Sequence, residues 1–147
     1  VSDDEHPAPD HGDAAAGGAR ARGQAMMREV YGWDIGDVQG EFVELTVDHL
    51  FGRVWAEGTL SVRERRLVLL GLLIGEGLDD VVGLQLDCAL GIGELEPDEL
   101  RELVVLLAHY AGWPKAAKLN SQVEELVARH RKRADAAEAA TGEGDDR

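Results

Sequence analysis

The sequence is poor in several things, and each shortage closes off a class of protein. There is a single cysteine, Cys88, in 147 residues. One thiol cannot form an internal disulfide, so no disulfide framework supports the fold, and a reducing, cytoplasmic setting is expected. Aromatic residues make up only 5% of the chain while apolar residues reach 44%, so aliphatic side chains must fill the core. No apolar run approaches the roughly 18 residues of a membrane span. The N-terminus does not read as a secretory signal. Bases are scarce: 15 Lys and Arg face 29 Asp and Glu, for a net charge of -14. A chain this acidic, with no basic stripe, fits neither nucleic acid nor an anionic membrane.

The acidity lies mostly at the ends. Residues 1–19 hold five acids and no base, and residues 135–147 hold five acids and Arg147. The expectation is two solvating disordered tails, 1–18 and 135–147, around one helical domain over 19–134.

Within that domain the apolar period is helical throughout, which predicts an all-α fold of about six helices and no sheet. A weak first helix covers Ala19–Tyr31, and a second runs from Val38 or Glu41 to Trp55. Ser61 and Glu64 form a capping-box pattern that opens a third, with Gly77 as its stop. Asp79 is read as the cap of a fourth helix, Asp80–Gly91. Pro97 fits the first turn of a fifth, which ends at Gly112. Pro114 opens a sixth, ending near Arg129–Arg133, where cations suit a helix C-terminus. The segments Leu67–Ile74 and Leu103–Leu107 are apolar on every side. A helix of that kind must be covered all round, so self-association is expected, with Gly71 and Gly75 allowing close approach of another helix.

Three segments, in order, carry a resemblance. The first is Phe51-Gly52-Arg53-Val54-Trp55 with Leu60-Ser61-Val62-Arg63-Glu64-Arg65-Arg66-Leu67-Val68. The second is Ala89-Leu90 with Gly93, followed by Pro97-Asp98-Glu99-Leu100-Arg101-Glu102. The third is His109-Tyr110-Ala111-Gly112-Trp113-Pro114-Lys115-Ala116. Together they resemble the carboxymuconolactone decarboxylase family, which shares its fold with the AhpD-type alkylhydroperoxidases. The resemblance implies a homotrimer or homohexamer of α-helical subunits. The alkylhydroperoxidase branch uses a Glu and a Cys-x-x-Cys-x-x-x-His motif. Matching positions here carry Arg66 for the Glu, Leu78 and Val81 for the cysteines, and Gln85 for the His. Dithiol peroxidase activity is therefore not expected. The decarboxylase branch converts 4-carboxymuconolactone to the enol-lactone of 3-oxoadipate and releases carbon dioxide. It normally keeps the His, for which Gln85 stands here. An amide donates a hydrogen bond but does not carry a proton in and out.

The resemblance implies a cofactor-free lyase or isomerase acting on a small carboxylated lactone or ring compound. Gln85 would orient the substrate, Arg66 or Arg63 would bind a carboxylate, and His49 or Glu57 would move protons. Trp55, Tyr110, Trp113 and Cys88 are candidates for the pocket lining. Each has a plainer reading: packing for the aromatics, a small buried hydrophobe for Cys88, a hydrogen-bonded core histidine for His109, a surface or interface position for His49, a solvated loop for Glu57, and intersubunit ion pairs for Arg63, Arg65 and Arg66. A non-catalytic oligomeric binding protein is the alternative function. No metal-ligand spacing, phosphate loop or nucleophile elbow is present. Partners are expected to be a small molecule and further copies of the chain, with no nucleic acid and no membrane.

Overall fold

The computed structural model describes residues 11–34, 36 and 38–142, without the side chains of 11–16 and 141–142. The expected tails fall partly outside these residues, at 1–10 and 143–147. The described residues are helical, with no strand among them. The elements are α1 (His11–Tyr31), α2 (Glu41–Glu44) running directly into a π-helix (Leu45–Trp55), α3 (Val62–Glu76), α4 (Asp79–Gly91), α5 (Pro97–Ala111) and α6 (Trp113–Gly142). α1 begins and α6 ends beyond the boundaries expected from apolar period. Their extensions are rich in alanine, which sustains a helix without burying a face.

Two compact units divide the chain: residues 1–29 with 33–59, and residues 30–32 with 60–147. In the first, α1 crosses the π-helix on glycine. A Cβ at Gly23 would lie 1.9 Å from the Val47 carbonyl oxygen, and one at Gly52 would lie 2.6 Å from that of Ala19. Only glycine permits backbones this close. Ala19, Met27, Val47 and Phe51 are buried around the crossing. The Arg20 guanidinium donates to the Val38 carbonyl at 2.8 Å and pairs with Asp48 at 3.4 Å.

The second unit holds the larger core. Leu70, Leu73 and Ile74 of α3 meet Val82, Leu86 and Ala89 of α4, Leu100 and Val104 of α5, and Leu119, Val123 and Leu126 of α6. Local chemistry sets its boundaries. Ser61 accepts from the Glu64 N–H at 3.2 Å while the Glu64 carboxylate accepts from the Ser61 N–H at 2.7 Å, completing the capping box. The Ser61 N–H and hydroxyl, both donating to the Glu64 carboxylate, hold that carboxyl below its ordinary pKa. Gly77 closes α3 with φ 75°, as its left-handed role requires. Asp79 departs from its expected capping role. It is the first residue of α4, Leu78 is the cap, and the Asp79 carboxylate is drawn to Lys118 of α6 instead.

α3 and α5 each divide into two faces. Val68 and Leu72 on α3 are 68% and 59% exposed, and Val105 and Leu106 on α5 are 62% and 52% exposed. The chain itself therefore covers only the inner side of each. A Cβ at Gly71 or Gly75 would meet nothing within 4 Å, so neither glycine serves a close helix contact within the chain.

Candidate active site

Arg66 lies on the inner face of α3, one turn before Leu70, and is 0% exposed. Such a charge must be paired or hydrogen-bonded to stay buried. Three acceptors surround it. Its Nη1 donates to Gln85 Oε1 on α4 at 2.5 Å, its Nη2 to the Val30 carbonyl oxygen, and its Nε to the Glu94 carboxylate in the turn after α4. Gln85 is itself only 2% exposed, and its Nε2 reaches the Tyr31 hydroxyl at 3.5 Å. The amide therefore has a fixed orientation: oxygen toward the cation, nitrogen toward the phenol.

Burial shapes the acids beside this cluster. Tyr31 is half-buried, and desolvation raises its pKa, with Cys88 adding to the rise while the Gln85 hydrogen bond and Arg66 oppose it. Burial likewise pushes the Cys88 thiol up, against the pull of Arg66. The phenol is a protonated hydrogen-bonding group at neutral pH, and the thiol is not a ready nucleophile.

The structure thus brings together Arg66 and Gln85, the residues standing at the Glu and His positions of the peroxidase pattern, and adds Tyr31 and Glu94, which sequence reading missed. Gln85 and Tyr31 are 54 positions apart, and no local spacing announces their meeting. Glu94 follows Gly93, a landmark of the second segment, but its role depends on where α3 lies.

The other candidates are dispersed. Arg63 pairs with Glu99, and Arg65 Nε donates to the Leu60 carbonyl at 3.0 Å. His49 and Glu57 are exposed in the first unit, where the Trp55 ring stacks on Phe51 at 5.7 Å. His109 is exposed, not a core histidine; its Nδ1 lies 2.8 Å from the Val105 carbonyl oxygen. Tyr110 is 84% exposed, so it does not pack in a core within the protomer. Trp113 lines an apolar groove of about 420 Å³ with Val104, Val105, Ala108, Ala116 and Asn120, a lining that includes neither Arg66 nor Gln85. Cys88 is buried. Among the described residues no three His, Cys, Asp or Glu side chains gather as metal ligands, and no helix is long and apolar enough to cross a membrane.

These features define a helical protein with a buried cationic centre shared by α3, α4 and the end of α1. Residues 40–125, more than half the chain, match the model of the carboxymuconolactone decarboxylase family. The chain belongs to that family. Comparison with curated proteins gives no match.

Proposed function

We infer that this protein is a cofactor-free lyase or isomerase acting on a small carboxylated lactone or ring compound, with Arg66, Gln85 and Tyr31 at its polar centre. The observation that supports this reading most is the buried contact of the Arg66 guanidinium with the Gln85 amide. It joins a carboxylate-binding cation to a fixed hydrogen-bond donor at the position where the family's decarboxylase branch holds its histidine. Decarboxylation leaves an electron pair that must be delocalised onto an oxygen, and donors placed in a dry site stabilise that charge strongly. Arg66 binds the carboxylate and Gln85 orients the ring. Cys88, buried on the same helix as Gln85, lies among the residues around that centre. The buried, single thiol suits a cytoplasmic protein, and the reaction class suits the breakdown of aromatic compounds.

The working form is a homotrimer or homohexamer in this reading. The exposed Val68, Leu72, Val105 and Leu106 support it, because a further copy of the chain would cover them.

Complete enclosure of Arg66 favours a second reading, a non-catalytic oligomeric binding protein in which the centre is purely structural. A decarboxylation assay with 4-carboxymuconolactone separates the two. Wild type should release carbon dioxide, Gln85→Ala should lose most of that rate, and Gln85→His should equal or exceed wild type. Absence of turnover in all three sinks the lyase reading.

A further inference from the structure

Two of the three acceptors on Arg66 are fixed in place. Val30 contributes a helix backbone carbonyl, and Gln85 is 2% exposed on α4. The third, Glu94, differs. It is a carboxylate at the end of a flexible side chain, carried by the turn between α4 and α5. Its side chain is 12% exposed, whereas that of Arg66 is 0% exposed, so solvent reaches the ion pair from the Glu94 side. The turn itself is pinned independently. The Glu94 N–H donates to the Ala89 carbonyl at 2.9 Å, the Leu95 N–H to the same oxygen at 3.3 Å, and the Leu95 side chain is 1% exposed in the core. Outward rotation of the Glu94 side chain therefore requires no movement of its backbone.

We propose that Glu94 is a built-in occupant of a carboxylate site on Arg66: in the ligand-free protein it fills the position that the carboxylate of a small organic acid takes on binding. The inference rests on Arg66 as the carboxylate-binding residue of the function inferred above, and it makes Glu94 both the gate and the selector. Exchange of one carboxylate for another keeps the buried guanidinium paired throughout. A neutral ester, amide or lactone arriving in its place would leave the cation uncompensated, which is strongly unfavourable in a buried site. The ligand class is thus a small acid that presents a free carboxylate, and the price of selectivity is competition from the protein's own side chain.

The test uses the full chain with acetate and benzoate as probes and acetamide and benzamide as neutral controls. Glu94→Ala should melt below wild type, and acetate should restore its melting temperature saturably while acetamide does not. Arg66→Met combined with Glu94→Ala should show no response to acetate. Should Glu94→Ala fail to fold, the isosteric Glu94→Gln serves instead. Benzoate should bind it about tenfold or more tightly than wild type, because the closed state no longer lowers the competent fraction. A folded Glu94→Ala protein indifferent to carboxylates, a response that survives loss of Arg66, or equal benzoate affinity in wild type and Glu94→Gln overturns the proposal. None of these readouts needs turnover. Carboxylate rescue without decarboxylation would keep this site and discard the lyase reading, whereas decarboxylation without rescue would do the reverse.

Discussion

Replacing Gln85 with leucine isolates the energy held in the buried cluster. The two side chains are similar in volume, so the change creates little cavity, but it removes the Oε1 acceptor 2.5 Å from Arg66 Nη1. A guanidinium donor left unsatisfied in a 0% exposed site costs about 1.5–3 kcal/mol. Arg66→Met breaks the ion pair with Glu94 and should cost about 3 kcal/mol, the lower end of the range for a broken buried pair, since Glu94 is 12% exposed and can turn toward water. In the double variant the leucine faces a thioether, and no cation remains to be satisfied. Its total cost should therefore be close to that of Arg66→Met alone, a coupling of about 1.5–3 kcal/mol. Urea unfolding followed by far-ultraviolet circular dichroism, at one fixed protein concentration, measures all four proteins. Costs that add to within about 0.5 kcal/mol would refute the idea that Arg66 and Gln85 share one buried interaction.

Three further perturbations probe the phenol, the glycine crossing and the exposed faces. Tyr31 has a raised pKa when folded, so its unfolded form loses its proton first as pH rises; the stability it contributes is intact below the unfolded value of about 10 and is lost above it. Absorbance titration in a Tyr110→Phe background, which leaves Tyr31 as the sole tyrosine, should show the phenol titrating late, and later still in Gln85→Leu, because the Gln85 hydrogen bond lowers its pKa. Gly23→Ala should destabilise the crossing of α1 and the π-helix by about 1–3 kcal/mol or more, seen as a fall in thermal stability, since the new Cβ would lie 1.9 Å from the Val47 carbonyl oxygen. Leu106→Glu combined with Val68→Glu should leave helix content unchanged but reduce the sedimenting mass toward that of one chain; an unchanged oligomer would show that these exposed faces are not the interface.

Helices were legible in the sequence wherever a local signal marked them. The Ser61/Glu64 box, Gly77 and Pro97 mark boundaries that the structure reproduces, because caps act over a few residues. Asp79 shows the limit of such rules: a capping-type residue was taken by a lysine 39 positions away, a contact no local pattern contains. The π-helical turns of Leu45–Trp55 were hidden for a similar reason, since their apolar positions also suit an α-helix. At the candidate site, Gln85 and Arg66 were legible through the motif order, but the orientation of the three arginines was not. Arg63 and Arg66 are neighbours on α3, yet one pairs with Glu99 and the other with Gln85 and Glu94, partners that only the packing of the other helices supplies. Tyr31 and Glu94 become visible only once the last residues of α1 and the α4–α5 turn meet Arg66 and Gln85.

Arg66 also distinguishes a working centre from a relic by its energetics. It directly precedes the apolar run Leu67–Ile74 on α3, and an apolar side chain there would adjoin the core of Leu70, Leu73 and Leu86. Buried ion pairs are commonly replaceable by apolar groups of similar volume with no loss of stability, or with a gain of about 1–4 kcal/mol. A cluster without a task therefore has no thermodynamic need for a guanidinium, an amide and a carboxylate. The combination Arg66→Met, Gln85→Leu and Glu94→Leu puts this to a direct test. If the cluster serves binding or catalysis, the triple variant should be at least as stable as wild type in urea while losing carboxylate binding and turnover, the trade expected where function maintains an unfavourable arrangement. A triple variant that is several kcal/mol less stable would instead make Arg66 a structural pin, and the centre would then support the non-catalytic reading of this family member.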